Sequence, residues 1–272
     1  MNHICLHDRQ EIYNWLHRDA LLNVYSIADL DDFFWPWTSW YGLPGRGGLA
    51  AVALLYSGME LPTLLALTRD DPPQVAAMGE LLEGVGHLLP RRFAAHLGPG
   101  LMAVLQNEGW SVEYLGRHLK MGLTNPAAAR SVNPGDVARL GPDDLPDLLA
   151  LYRRSYPGNW FDPRMLETGE YFGLRELPAD ANSPLVCVAG VHAVSRRYGV
   201  AALGNITTAE DHRSRGYAQR VTAALCQSLL NEGLEVGLNV HSDNAAAIAA
   251  YRRIGFEVVA VYDEMTVSSV PA

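Results

Sequence analysis

The chain has 272 residues, 49% of them hydrophobic and 19% charged, a balance that supports buried cores and excludes an intrinsically disordered chain. Its formal net charge of −9 excludes general affinity for nucleic acid, which requires a surplus of Lys and Arg to face phosphates. The length suits two domains better than one.

Taken from the start, the segment around His3, His7, Asp8 and Arg9 lacks the apolar run of a secretory signal. Residues Asp8 to Arg18 have the spacing of an amphipathic helix, with Ile12, Trp15 and Leu16 on one side. An aromatic run, Phe33 to Tyr41, is expected to pack in a core or interface. The glycine-rich Gly42 to Gly48 leads into a strand and not a helix, the wrong order for a phosphate loop, and reads as a flexible connection. Strands are expected at Leu49–Tyr56 and Thr63–Thr68. This most apolar stretch is interrupted by Glu60 and Pro62, so no membrane span is expected. Pro72-Pro73 breaks the chain before a helix from Gln74 to Leu89. A second helix at Pro99–Glu108 and strands over Trp110–Met121 follow.

Leu123 to Gly135 holds Asn125-Pro126 and Asn133-Pro134 and reads as a crossing between domains. The expected division is therefore residues 1–125, a linker at 126–135, and a second domain at 136–272. In that domain the pattern predicts a strand at Val137–Leu140 and a helix from Pro142 to Arg154 with acids in its first turn. Strands follow at Tyr171–Arg175, Leu185–Val194 and Tyr198–Thr208. A long helix at Gly216–Asn231, a strand at Leu234–Val240 and a helix at Asp243–Ile254 come next. Strands at Phe256–Val261 and Asp263–Val267 complete the pattern. The expected class is α/β around a mixed sheet. Cys5, Cys187 and Cys226 are far apart and lack CxxC spacing, so neither a disulfide framework nor a metal site is expected, and the default compartment is the cytoplasm.

The chemistry concentrates in Asn205-Ile-Thr-Thr-Ala-Glu-Asp-His-Arg213-Ser-Arg215-Gly216-Tyr-Ala218. It leaves a strand, turns, and enters a helix whose first positions are small. A helix N-terminus presents unpaired N–H groups and partial positive charge, and Gly216 and Ala218 let a phosphate approach the backbone. Arg213 and Arg215 add full charge. Downstream, Asn244, Ala247 and Tyr251 share one helical face ahead of Gly255-Phe256.

Together these two segments resemble the GNAT superfamily of N-acyltransferases. Arg213-x-x-Gly216-x-Ala218 is similar to its Arg/Gln-x-x-Gly-x-Gly/Ala loop. Asn244-x-x-Ala247-x-x-x-Tyr251-x-x-x-Gly255-Phe256 is similar to its second signature. The first domain has no such loop; its strands and helix weakly resemble a degenerate copy of the same fold, as in glycine N-acyltransferase-like tandem proteins. The resemblance implies acetyl-CoA or another acyl-CoA as co-substrate, with no metal. It places Ile206, Thr207 and Thr208 on the pantetheine arm, and Arg213, Ser214, Arg215, Gly216, Tyr217 and Ala218 on the pyrophosphate. Asn244 and Ala247 fall beside the pantetheine, and Tyr251 near the sulfur as proton donor to the thiolate. A small-molecule or peptide primary amine would attack the thioester directly, its oxyanion held by a strand N–H. Candidate bases are Glu210, His192 and His212. Tyr156, Trp160 and Phe161 fall where the acceptor pocket is expected, with Glu170 and Arg175 holding a charged acceptor. The alternative reading is an acyl-CoA-binding sensor or scaffold without turnover; a monomer or homodimer suits both.

Overall fold

The computed structural model describes residues 3–176 and 183–269. They form two compact units: Met1–Lys120 with Val240–Asp243 and Val258–Ala272, and Met121–Asn239 with Asn244–Glu257. Each unit is built on the same order of elements.

The first repeat runs β1 (Ile4–Leu6), α1 (Arg9–Leu16), α2 (Ala20–Ala28), β2 (Thr38–Gly45), β3 (Gly48–Tyr56), β4 (Thr63–Ala66), α3 (Pro72–Val85), β5 (Arg92–Leu97), α4 (Leu101–Asn107) and β6 (Trp110–Leu123). Helix α1 starts where Asp8 accepts from the amides of Gln10 and Glu11, satisfying two donors that the first turn leaves open. The Gly42–Gly48 stretch is not a flexible connection. Gly45 pairs with Gly48, so Arg46-Gly47 is a two-residue hairpin turn, and Gly47 takes φ +86°, a conformation that favours glycine. The aromatic run divides: Trp40 and Tyr41 are buried on β2, whereas Phe33 and Trp37 are each 55% exposed. Strands β1 to β4 pair antiparallel in sequence, and β4 then pairs parallel with β5.

The second repeat runs α5 (Pro126–Ser131), β7 (Ala138–Arg139), α6 (Leu145–Ser155), a 3-10 segment at Pro163–Thr168, β8 (Phe172–Arg175), β9 (Leu185–Ser195), β10 (Val200–Thr208), α7 (Tyr217–Asn231), β11 (Glu235–His241), α8 (Ala245–Arg253) and β12 (Phe256–Ser269). Strands β7 to β10 pair antiparallel, and β10 pairs parallel with β11. Helix α6 packs on β9 and β10, and α7 on β8, β9 and β10. Burying Val221, Leu225 and Leu229 of α7 beneath that layer drives the packing, at about 1.5–3 kcal/mol for each fully buried side chain.

Two expectations change. The 126–135 linker holds helix α5, capped by Asn125, and Gln227 of α7 donates to the carbonyls of Ala129 and Val132 at 2.9 Å each. The two closing strands are one, β12, and from Val258 onward it is grouped with the first unit. There it pairs with β5 from Asp263↔Leu97 to Ser268↔Arg92, and Met265 and Val267 sit in a core with Leu64, Leu81 and Phe93. The segment therefore crosses the expected 136–272 boundary.

Candidate active site

In the second unit the β10–β11 ladder stops at Leu203↔Leu238, although β10 continues to Thr208 and β11 to His241. On its other edge β10 stays paired, Thr207 with Val188 and Thr208 with Cys187. A parallel pair whose strands continue past their last bond leaves backbone groups at their C-terminal ends, where open α/β sheets bind ligands.

Beyond Thr208 the chain makes the 3-10 turn Glu210–His212 and enters α7 through Gly216. Gly216 is the N-cap, in the left-handed conformation at φ +77°, and no side chain caps the helix. A Cβ built there meets nothing within 4 Å. The first turn of α7 carries no acid. Its leading N–H groups thus face an open approach with no internal anion to answer them, the combination that favours a phosphate. Ser214, at φ +63°, turns the loop toward the helix. Arg215 donates to the carbonyl of Asp211 at 2.9 Å, and Arg213 donates to that of Thr208 at 3.4 Å. Both guanidinium groups are thereby anchored to the loop they would serve.

Helix α8 begins at Asn244, whose side chain accepts from the Ala247 amide at 3.1 Å. Asn244 is thus a helix cap, and Ala247 is half-buried behind it. Tyr251 is buried, its ring 6.0 Å from that of Phe256. Burial, and then the neighbouring Tyr156, Cys187 and Cys226, push its hydroxyl pKa above the usual value, so the phenol keeps its proton. Gly255 follows at φ +98°; a Cβ there would lie 2.1 Å from the Asn125 carbonyl oxygen, so only glycine fits this turn.

His192 of β9 packs its ring over Gly204, where an added Cβ would come within 2.4 Å of it, and meets the Trp160 ring edge-on at 5.7 Å. Burial lowers its pKa below the usual imidazole value, so the ring is neutral near pH 7 and able to accept a proton. Phe161 packs between Tyr152 and Tyr171, at 5.2 and 5.9 Å, while Tyr156 and Trp160 are 43% and 42% exposed.

With this geometry in view, residues 189–264 match the model of the FR47-like protein family. Over 55 residues the chain is 44% identical to a mycothiol acetyltransferase of Corynebacterium jeikeium, covering 20% of this chain and 16% of that protein's length. A GCN5-related N-acetyltransferase from Sphaerobacter thermophilus superposes with a TM-score of 0.58 at 14% identity, covering all of this chain and 98% of the other. The chain carries the GNAT fold. A tandem GNAT protein from the clavulanic acid biosynthesis pathway matches over 99% of both chains at 16% identity, with a TM-score of 0.57. The likeness of fold to both solved structures runs along nearly the full length of each.

Not every residue expected at the candidate site stands free to act there. Glu210 is exposed and ion-paired with Arg213 at 3.7 Å. His212 is buried against Asp211 at 2.9 Å and stacks on Tyr217 at 6.3 Å, a brace for the loop. Arg175 donates to Asp144 and Asp147 at 2.6 Å each and to the Ser183 carbonyl, tying β8 to the start of α6. These contacts occupy its guanidinium structurally. Glu170 is 1% exposed and pairs with Arg139 and Arg196, which makes it part of a buried ion-pair cluster. Sequence reasoning passed over Asn205, which is buried at φ +55° among Tyr152, Asn159, Met165 and Tyr171. Its signal was present: a Gly-Asn pair inside an apolar strand marks a bulge. Among the described residues no helix is long and apolar enough to cross a membrane, and no cluster of His, Cys, Asp or Glu forms a metal site.

Proposed function

We propose that this protein is an acyl-CoA-dependent N-acyltransferase, with acetyl-CoA the leading donor and a primary amine the acceptor. The observation that carries this reading is the uncapped, acid-free start of α7 behind left-handed Gly216, at the end of a strand that has left its parallel partner. Phosphates of the co-substrate would lie on the amides of Arg213 to Ala218, and the β10 backbone at Ile206, Thr207 and Thr208 would meet the pantetheine. Bound acyl-CoA supplies an activated thioester carbonyl.

The protein's own groups divide the proton work. His192, neutral and half-buried, takes a proton from the acceptor ammonium, freeing the lone pair that forms the C–N bond. As the C–S bond breaks, Tyr251 gives its proton to the departing sulfur, and a buried phenol that holds its proton suits that task. Trp160, edge-on to His192, would offer the acceptor an aromatic wall attractive to an amine in its cationic form, with Tyr156 and Phe161 on the same segment completing the pocket.

The test is incubation of purified protein with acetyl-CoA and a panel of primary amines, followed by free thiol and product mass. Thermal unfolding with acetyl-CoA, CoA and ATP is run alongside. Saturation at 100 times the dissociation constant adds about 2.7 kcal/mol of stability. The expected result is stabilisation by acetyl-CoA and CoA but not ATP, with amine-dependent thiol release. Stabilisation without release from any amine would favour a sensor over an enzyme. No stabilisation by either thioester or free CoA would remove the reading.

A further inference from the structure

The β9–β10 hairpin breaks its register twice. Ala202 faces Ala193 but Leu203 faces Val191, so His192 is the extra residue on β9. Gly204 faces Gly190 but Thr207 faces Val188, so Asn205 and Ile206 oppose the single residue Ala189. Each strand thus carries one bulge, and the bulges deliver His192 and Asn205 to adjoining positions. Bulges cost ladder bonds and are found where a side chain must be re-aimed.

Asn205 is held from every side. Its backbone carbonyl accepts from the Tyr152 hydroxyl at 3.1 Å. Its side-chain oxygen accepts from Asn159 at 3.1 Å, and its amide nitrogen donates to the Tyr171 hydroxyl at 3.1 Å. Tyr171 in turn donates to the Val191 carbonyl at 3.1 Å, on the strand of His192. The Asn205 side chain also hydrogen-bonds the His192 imidazole. A left-handed conformation is disfavoured at a non-glycine residue, least so at asparagine, and at a buried position it persists where the surroundings enforce it. Here four neighbouring side chains do so.

We infer that Asn205 is a positioning residue for the transfer: locked in the β10 bulge by Tyr152, Asn159 and Tyr171, it fixes the orientation and tautomer of the His192 imidazole presented by the β9 bulge. An imidazole N–H donated to the amide oxygen leaves the other ring nitrogen as the acceptor for the substrate proton. Asn205 itself exchanges no proton. Direct contact with the amide oxygen favours the charged ring, opposing the effect of burial. The other titratable groups in contact with Asn205, Tyr152 and Tyr171, are pushed by burial above the usual phenol value and stay neutral throughout the range of the test.

This inference rests on the acyltransfer reading, and its test includes a readout that needs no turnover. Asn205→Gly keeps the left-handed backbone and removes the side chain; Asn205→Asp keeps the shape and adds charge. The His192 imidazole is titrated by NMR in both variants and wild type, and kcat, KM and the pH dependence of kcat/KM are measured with the best amine found. For Asn205→Gly the expectation is at least a 10-fold fall in kcat, acetyl-CoA KM within 2-fold of wild type, and a His192 titration moved to lower pH. For Asn205→Asp the titration and the acid limb of kcat/KM move to higher pH. A His192 titration unmoved in both variants overturns the inference, whatever the rates do. If no amine turns over in wild type while the titration moves as described, the catalytic reading fails and the coupling of the two bulges stands.

Discussion

The two repeats share an order of elements and differ where a nucleotide would bind. In the second, the parallel pair β10–β11 stops at Leu203↔Leu238 before either strand ends. In the first, the parallel pair β4–β5 stays joined to Ala66↔Leu97, and the Gly98 amide extends it by donating to the Ala66 carbonyl at 2.9 Å. Gly98 is so close to Thr68 that an added Cβ would lie 2.2 Å from its hydroxyl oxygen. The helix starts differ as much. Helix α7 opens on uncapped Gly216, whereas α3 opens on Asp71, whose carboxylate takes the Gln74 amide, and its first two positions are Pro72 and Pro73. An acid and two prolines replace the N–H donors and positive end that an anion needs. Tyr251 stands four residues before Gly255, and Leu105 stands four before Gly109. The first repeat has the same order of elements without the uncapped helix start, the open strand ends or the phenol.

The comparison can be broken most directly at Gly216. Gly216→Glu puts a carboxylate into open space at the α7 N-terminus but on a left-handed backbone that strains it, so affinity is read on protein shown to be folded. Acetyl-CoA affinity is expected to drop by about 2–5 kcal/mol, from roughly 30-fold to several thousand-fold. Calorimetry returning wild-type affinity would show that α7 holds no phosphate. Next comes Tyr251→Phe, which makes the second repeat resemble the first in lacking a phenol. Turnover is expected to fall about 100-fold with acetyl-CoA affinity intact; single-turnover rates equal to wild type would dismiss Tyr251 as the acid. The smallest effect belongs to Asp71→Ala. It removes the α3 cap and should lower stability by about 1 kcal/mol in denaturant unfolding. Acetyl-CoA affinity should stay unchanged, and any gain or loss there would mean the first repeat still takes part in binding.

Much of this was legible in the sequence because the signals are local. Gly216, Ala218, Asn244, Tyr251 and Gly255 each answer a backbone or packing demand within a few residues of themselves, and their spacing survives without knowledge of the fold. The parts that escaped are relational. Arg175 looked available for a substrate until its partners Asp144 and Asp147, far back in the chain, were brought to it. Asn205 falls inside the expected strand Tyr198–Thr208, and nothing local marks its side chain's role, because a bulge is defined by the partner strand it fails to match. Strand β5 and helix α2 were missed for a different reason: short apolar runs such as Phe93 to Leu97 carry too little periodicity to separate strand from loop.

The last strand has a consequence for how the protein comes to be. As the chain is synthesised, the first repeat is complete once β6 has emerged, yet Met265 and Val267, which help fill its unit's core, are made only after β7 to β11 of the second repeat. Until then the edge of β5 lacks its β12 partner and the core of the first unit is incomplete. Its folding is tied to that distant strand by a loop of more than a hundred and fifty residues between β5 and β12, a closure that slows assembly far more than it costs stability.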